Sequence, residues 1–216
     1  MKILVVGFPR SGTSLTHRIF KKHPEIKRMF FEKFMIKNCS KRELIKSEKV
    51  FSPGVGCGEK IIYTRRRVKK DGSMSVVDYC KKWNKFFGKE ARIIQPIRHP
   101  FDSWTSMKKN GVHRKNSEIM ERLYNLYFEV VPECTEVIGS FPNCFTFKYE
   151  NLVMNKDEIT KELYSFCNLS DFYFDEKMKK RRVFANKKLP FYRHKKMSEV
   201  LNIFNKFDGP KYEEFL

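Results

Sequence analysis

The sequence predicts an α/β fold: a three-layer, doubly wound, mostly parallel sheet with helices on both faces. Three observations carry this. Lys2 is followed by the unbroken apolar run Ile3-Leu4-Val5-Val6, whose length and character suit a strand buried on both faces. That run opens directly into Gly7-Phe8-Pro9-Arg10-Ser11-Gly12-Thr13-Ser14, a G-x-x-x-x-G turn of the P-loop kind leading into a helix. Beyond it, short apolar runs alternate with segments whose apolar residues recur at helical spacing. The 216 residues hold no Pro/Gly/Ser-rich linker, internal repeat or low-complexity tract, so residues 1–216 read as one domain.

The elements follow in chain order. Leu15, Ile19 and Phe20 line one face of a short helix that stops near His23-Pro24, because the residue before proline avoids helical geometry. Met29-Phe30-Phe31 is a second strand, and Lys60-Ile61-Ile62-Tyr63 a third, followed by Arg65-Arg66-Arg67. Between them, residues 37–58 are polar and spotted with glycine and read as a long excursion that shapes a substrate site. Asp71 or Ser73 caps the next helix, whose core face is Val76, Val77, Cys80, Trp83 and Phe87. Ala91 to Arg98 is a buried strand with Pro96 best placed near its end, and a helix begins near Pro100. Asn116 to Ile138 carries Ile119, Leu123, Leu126, Val130 and Val137 at helical spacing, with Pro132 a kink or break. Cys144 to Lys148 is one more strand. Asn155 and Glu158 form a capping box for a helix bearing Ile159, Leu163 and Phe166.

Lysine and arginine number 45 against 25 acidic residues, a net charge of +20. Such a chain has anionic partners: a phosphorylated small molecule, an acidic glycan, nucleic acid or a membrane surface. Cys39, Cys57, Cys80, Cys134, Cys144 and Cys167 have neither C-x-x-C nor metal-ligand spacing and read as reduced core thiols. The N-terminal apolar run is too short for a signal peptide, and no segment has the length of a membrane span. The expected location is cytoplasmic.

The glycine-rich turn has a particular chemistry. Its glycines permit tight backbone geometry, and successive N–H groups at the helix start point at an anion. Thr13 stands where the nucleotide-hydrolase loop has its lysine, so the only cation within the turn is Arg10. Pro9-Arg10-Ser11-Gly12-Thr13-Ser14 resembles the 5′-phosphosulfate loop of sulfotransferases that use 3′-phosphoadenosine 5′-phosphosulfate (PAPS) and release adenosine 3′,5′-bisphosphate (PAP). Arg98-His99-Pro100-Phe101-Asp102-Ser103-Trp104-Thr105-Ser106 resembles the same family's 3′-phosphate motif, a strand-end arginine with a serine eight positions later on the next helix. The spacing is physically sensible: ligands bind at the carboxyl ends of strands in open α/β sheets, and guanidinium pairs well with phosphate. Lys148-Tyr149-Glu150-Asn151-Leu152 is similar to the family's Tyr-Glu-Asp-Leu segment, with Asn151 in place of aspartate.

The resemblance runs from Met1 to Leu152. It implies an in-line transfer of a sulfuryl group from PAPS to an acceptor hydroxyl, without a metal ion. Ser11, Gly12, Thr13 and Ser14 would cradle the 5′-phosphate, Arg98 and Ser106 the 3′-phosphate, and Tyr149 the adenine. Arg10 would offset charge on the sulfuryl and bridging oxygens. His23-Pro24, a strand and Phe31-Glu32 resemble carbohydrate-type rather than phenol-type members, which implies Glu32 as the base for the acceptor proton and a carbohydrate, such as an acidic glycan, as acceptor. His99 and His113 are alternative bases, and Lys60 is a further cation for the sulfate. Two family features differ: Leu15 stands where cytosolic members often carry tryptophan, and the C-terminal Arg-Lys-Gly is absent, leaving Lys187, Lys188 or Arg193 as substitutes. Two other classes remain open. A P-loop kinase would need a loop lysine and an acidic magnesium ligand, neither found at the expected place. A basic nucleic-acid-binding protein would fit the charge, but no helix-turn-helix, zinc or RNA-sheet motif is present.

Overall fold

The computed structural model of the protein describes residues 1–31, 56–62, 75–98, 103 and 131–176. Within them lie strands β1 (Lys2–Gly7), β2 (Ile26–Phe31), β3 (Gly56–Ile62), β4 (Ala91–Ile97) and β5 (Cys144–Lys148). Helices α1 (Thr13–Lys22), α2 (Val76–Phe87), α3 (Val131–Gly139), α4 (Tyr149–Met154) and α5 (Lys156–Phe166) accompany them. The strands form one sheet in the order β2-β3-β1-β4-β5, and every pairing is parallel. Because β1 pairs with β3 on one side and β4 on the other, the turn after β1 leaves the sheet where the strand order reverses. Open α/β sheets bind ligands at that point.

Strand alternation assigns the layers. Ile3 and Val5 of β1, Ile94 of β4 and Phe147 of β5 share one core with Leu15, Ile19 and Phe20 of α1 and Ile159, Leu163 and Tyr164 of α5. The opposite parity faces α2 and α3: Ile93 and Gln95 alternate with Ile94, and the position of a Cβ on Gly139 falls 3.9 Å from the Gln95 amide oxygen. Both faces of the central strands are therefore covered, which is why β1 is buried at every position. Pro96 lies beyond the last β1–β4 pair, Val5 with Ile94, so its missing N–H costs no bond to β1. Cys57, Cys80, Cys134 and Cys167 are buried, reduced cysteines. Burial pushes Cys167 up to about 12 and Cys144 up to about 11, so these groups stay protonated.

Several expectations need correction. The third strand starts at Gly56, inside the supposed excursion, because Gly56 and Gly58 are pressed between β2 and β1. A Cβ on Gly58 would meet the Met29 sulfur at 2.6 Å, so these glycines serve close approach and not a loop. The cap of α2 is Ser75, not Asp71 or Ser73: its hydroxyl accepts from the Asp78 N–H at 3.1 Å. Val137 is exposed, and Cys134 and Ile138 carry the buried face of α3. Asn155 precedes α5 but makes no side-chain cap, and its N–H closes α4 on the Asn151 carbonyl at 2.7 Å, which takes away the donor that Glu158 would need to complete a capping box. The one-and-a-half-turn α4 itself has no counterpart in the sequence reading. The helices expected near Pro100 and over 116–130, and the basic residues Lys187, Lys188 and Arg193, lie outside the described residues.

After α5 the chain folds back across α1. His23 Nε2 meets the Ser170 carbonyl at 2.9 Å, and Arg18 holds Glu176 through two guanidinium nitrogens at 3.1 and 2.7 Å. Tyr164 is fully buried between Phe20 and His23, and burial pushes its phenol up to about 12. Its hydroxyl finds no hydrogen-bond partner, so folding strips it of water without return. Tyr164→Phe is therefore expected to raise stability by about 1 kcal/mol in urea unfolding; a clear loss would mean that the hydroxyl is satisfied in solution.

Candidate active site

The glycine-rich turn is built by backbone geometry before any side chain acts. Ser11 N–H donates to the Phe8 carbonyl at 3.1 Å, and the Leu15 and Thr16 amides close on the Gly12 carbonyl at 2.9 and 3.0 Å. Gly12 has φ +105° and Arg10 φ +71°. Glycine accepts such a conformation, but arginine adopts it at a cost, the kind of strain that concentrates in ligand-binding turns. Gly7 leaves no room for a side chain, since a Cβ there would meet Ser11 Oγ at 2.7 Å and Thr13 Cγ2 at 2.6 Å. The first turn of α1 contains no acidic residue, so no side chain of that turn neutralises the positive end of its dipole.

Cationic side chains reach this turn from two other strands. Lys60, completely buried on β3, donates from Nζ to Ser14 Oγ at 3.2 Å. Its register partners are Val5 on one side and Phe31 on the other, so it lies on the α1 side of the sheet beneath the loop. From the end of β4, Arg98 Nη1 donates to the Arg10 carbonyl at 3.1 Å. The Arg98 guanidinium also stands over the Tyr149 ring, 4.6 Å from its centre. Ser11 Oγ, in a residue only 3% exposed, has no hydrogen-bond partner.

The fold thus brings Arg10, Ser11, Gly12, Thr13, Ser14, Arg98 and Tyr149 to one place. Lys60 joins them as a direct neighbour of the loop. Its sequence signal was a lysine that follows Glu59 in a strand whose other residues are small or apolar. Glu32 and Ser106 lie outside the described residues, as do His99 and His113; Phe31, immediately before Glu32, ends β2 in register with Lys60. Ser103 is helical and buried. Contact between Tyr149 and the loop left no trace in the sequence, because it depends on where α4 begins relative to a distant turn. Among the described residues, no group of His, Cys, Asp or Glu could hold a metal ion, and no helix is long and apolar enough to cross a membrane.

An anion fits the turn. The buried, unsatisfied Ser11 hydroxyl, a helix start with no acidic residue in its first turn and the nearby lysine and arginines are the complement of a phosphate or sulfate group.

Comparison with known proteins agrees with this geometry. A family model for the sulfotransferase domain matches residues 1–207. The sulfotransferase domain of the curacin biosynthetic pathway superposes with a TM-score of 0.55 at 13% identity, over 96% of this chain and 97% of that one. A sulfotransferase from Alicyclobacillus acidocaldarius gives 0.53 at 14% identity, over 97% and 96%. Mouse sulfotransferase SULT7A1 complexed with PAP gives 0.54 at 16% identity over 80% of this chain; the match spans 60% of the mouse protein's length. No curated protein matches significantly by sequence. With its parallel sheet, its glycine-rich turn at the switch point and a family match over nearly its whole length, the chain belongs to the sulfotransferase family.

Proposed function

We propose that the protein transfers a sulfuryl group from PAPS to an acceptor hydroxyl, releasing PAP, and that the acceptor is a carbohydrate. The observation that carries the nucleotide reading is the buried, unsatisfied Ser11 hydroxyl, set among Lys60, Arg98 and a helix start. When bound, PAPS supplies an activated sulfuryl group on its 5′-phosphate. Ser11, Gly12, Thr13 and Ser14 would hold that phosphate through backbone N–H groups and hydroxyls. Arg98 with Ser106 would hold the 3′-phosphate. Arg10 and Lys60 offset negative charge as it builds on the leaving side, and such preorganised charge is the largest catalytic contribution in many enzymes. Lys60 would supply from β3 the cation that Thr13 cannot supply from the loop. Glu32, one residue beyond β2, takes the acceptor proton. No metal ion has a role in this scheme.

Two measurements test the scheme. PAP is expected to raise the melting temperature clearly more than AMP, which lacks the 3′-phosphate; equal shifts would remove Arg98 and Ser106 from cofactor recognition. Glu32→Gln is expected to lower turnover about 10²–10⁴-fold, the range for a lost general base, with PAP affinity nearly unchanged. An unaltered rate would exclude Glu32 and turn attention to His99 and His113. The carbohydrate assignment rests on the His23-Pro24 to Glu32 resemblance, and an acceptor screen with labelled PAPS tests it.

A further inference from the structure

Tyr149 sits where the two anion-binding elements meet, and its ring is engaged on an edge and a face. A Cβ added to Gly12 would overlap Tyr149 Cδ2, with Cε2 and Cγ at 3.2 and 3.3 Å. The two flanking carbons are nearly equidistant and well beyond Cδ2, the pattern of an approach in the ring plane. The loop backbone therefore abuts the ring's edge. The Arg98 guanidinium, 4.6 Å from the ring centre, covers a face, and the same guanidinium donates to the Arg10 carbonyl. These contacts close a circuit: Gly12 to Tyr149, Tyr149 to Arg98, Arg98 to Arg10. Its two loop members, Arg10 and Gly12, are the two loop residues with positive φ. The conformations that most need external support are those the circuit touches.

We infer that Tyr149 is a positioning residue that, with Arg98, clamps the phosphate loop in its anion-receiving shape. A purine has no access to the ring face that Arg98 covers. Cation–π attraction orients the guanidinium, and the ring edge blocks collapse of the Gly12 turn. Recognition of the two phosphates is then mechanically linked, since the arginine assigned to one of them also braces the loop assigned to the other. The ligand-binding consequence rests on the nucleotide reading above; the bracing of the loop does not.

The test uses the parent protein, Tyr149→Phe and Tyr149→Leu. Affinities for adenosine 3′,5′-bisphosphate and cytidine 3′,5′-bisphosphate are measured by calorimetry. Amide hydrogen exchange of residues 8–16 is followed in the ligand-free proteins. Tyr149→Leu is expected to weaken both bisphosphates by the same factor, about tenfold, and to speed exchange at the Ser11, Leu15 and Thr16 amides while α5 is unaffected. Tyr149→Phe, which keeps the ring, is expected to stay within about threefold of the parent. A loss confined to the adenine ligand, or unchanged exchange in the loop, overturns the clamp. If the parent binds neither bisphosphate, the nucleotide reading fails and exchange alone decides the clamp. If Tyr149→Leu does not fold, Arg98→Met breaks the circuit from its other side in the same exchange experiment, and unchanged loop exchange there also overturns it.

Discussion

Arg10→Gly is expected to reduce sulfuryl transfer about 10²–10³-fold, the scale of losing one charged or hydrogen-bonding group that stabilises a transition state, without lowering the melting temperature. The two effects separate for a physical reason. Arg10 is exposed and holds φ +71°, a conformation that costs a residue with a Cβ about 1–2 kcal/mol. Glycine relieves that cost and gives back about 0.5–1 kcal/mol through the greater freedom of the unfolded chain. Stability therefore stays level or rises slightly while the charge is lost. Steady-state turnover with labelled PAPS, beside a thermal melt, reads both quantities. Added magnesium is expected to restore nothing; restoration would favour a kinase-like reaction instead. A variant that melts lower but turns over normally would mean that Arg10 serves the fold.

Lys60→Met is the second large effect, expected at about 10²–10³-fold in turnover by the same electrostatic reasoning. Lys60 is completely buried, and an ammonium is costly to remove from water. Methionine has similar length, fills irregular space and needs no hydration, so the fold should tolerate it. What it cannot replace is the donation from Nζ to Ser14 Oγ at 3.2 Å and the positive charge beneath the loop. Lys60→Arg is a useful companion. It keeps the charge, but its planar fork does not fit a site shaped for a point charge on a straight stem, so partial recovery is expected. If Lys60→Met retains full activity while Arg10→Gly does not, charge at the site comes from the loop alone.

Much of this architecture was legible because its signals are local. The run Ile3-Leu4-Val5-Val6 can only be a strand covered on both faces, and the spacing from Gly7 to Gly12 demands a turn before a helix. The core face of α1 follows from period alone, as do Val76, Cys80 and Trp83 of α2, while Val77 and Phe87 are only half-buried. Arg98 was legible as a strand-end arginine, on the side of the sheet where ligands bind, but its hydrogen bond to the Arg10 carbonyl was not. Legibility ended where a residue's local preference and its tertiary use diverge. Gly56 and Gly58 read as loop yet lie in a strand, since only their neighbours reveal that the backbone needs room there. Asn155 has the residue type of a cap, but its backbone N–H ends α4 and is lost to the capping box with Glu158.

By itself, the sequence determined the order of the five strands, the glycine-rich turn at Gly7–Ser14 that leads into a helix, and membership of the sulfotransferase family. All of these rest on residues within a few positions of one another. Only the tertiary structure decided that Lys60 meets Ser14 and that Tyr149 is wedged between Gly12 and Arg98. Those contacts join residues 46 positions apart in one case and parts of three separate strand-end segments in the other. Strand register and the start of α4 set such distances, and neither is written in any single stretch of the chain.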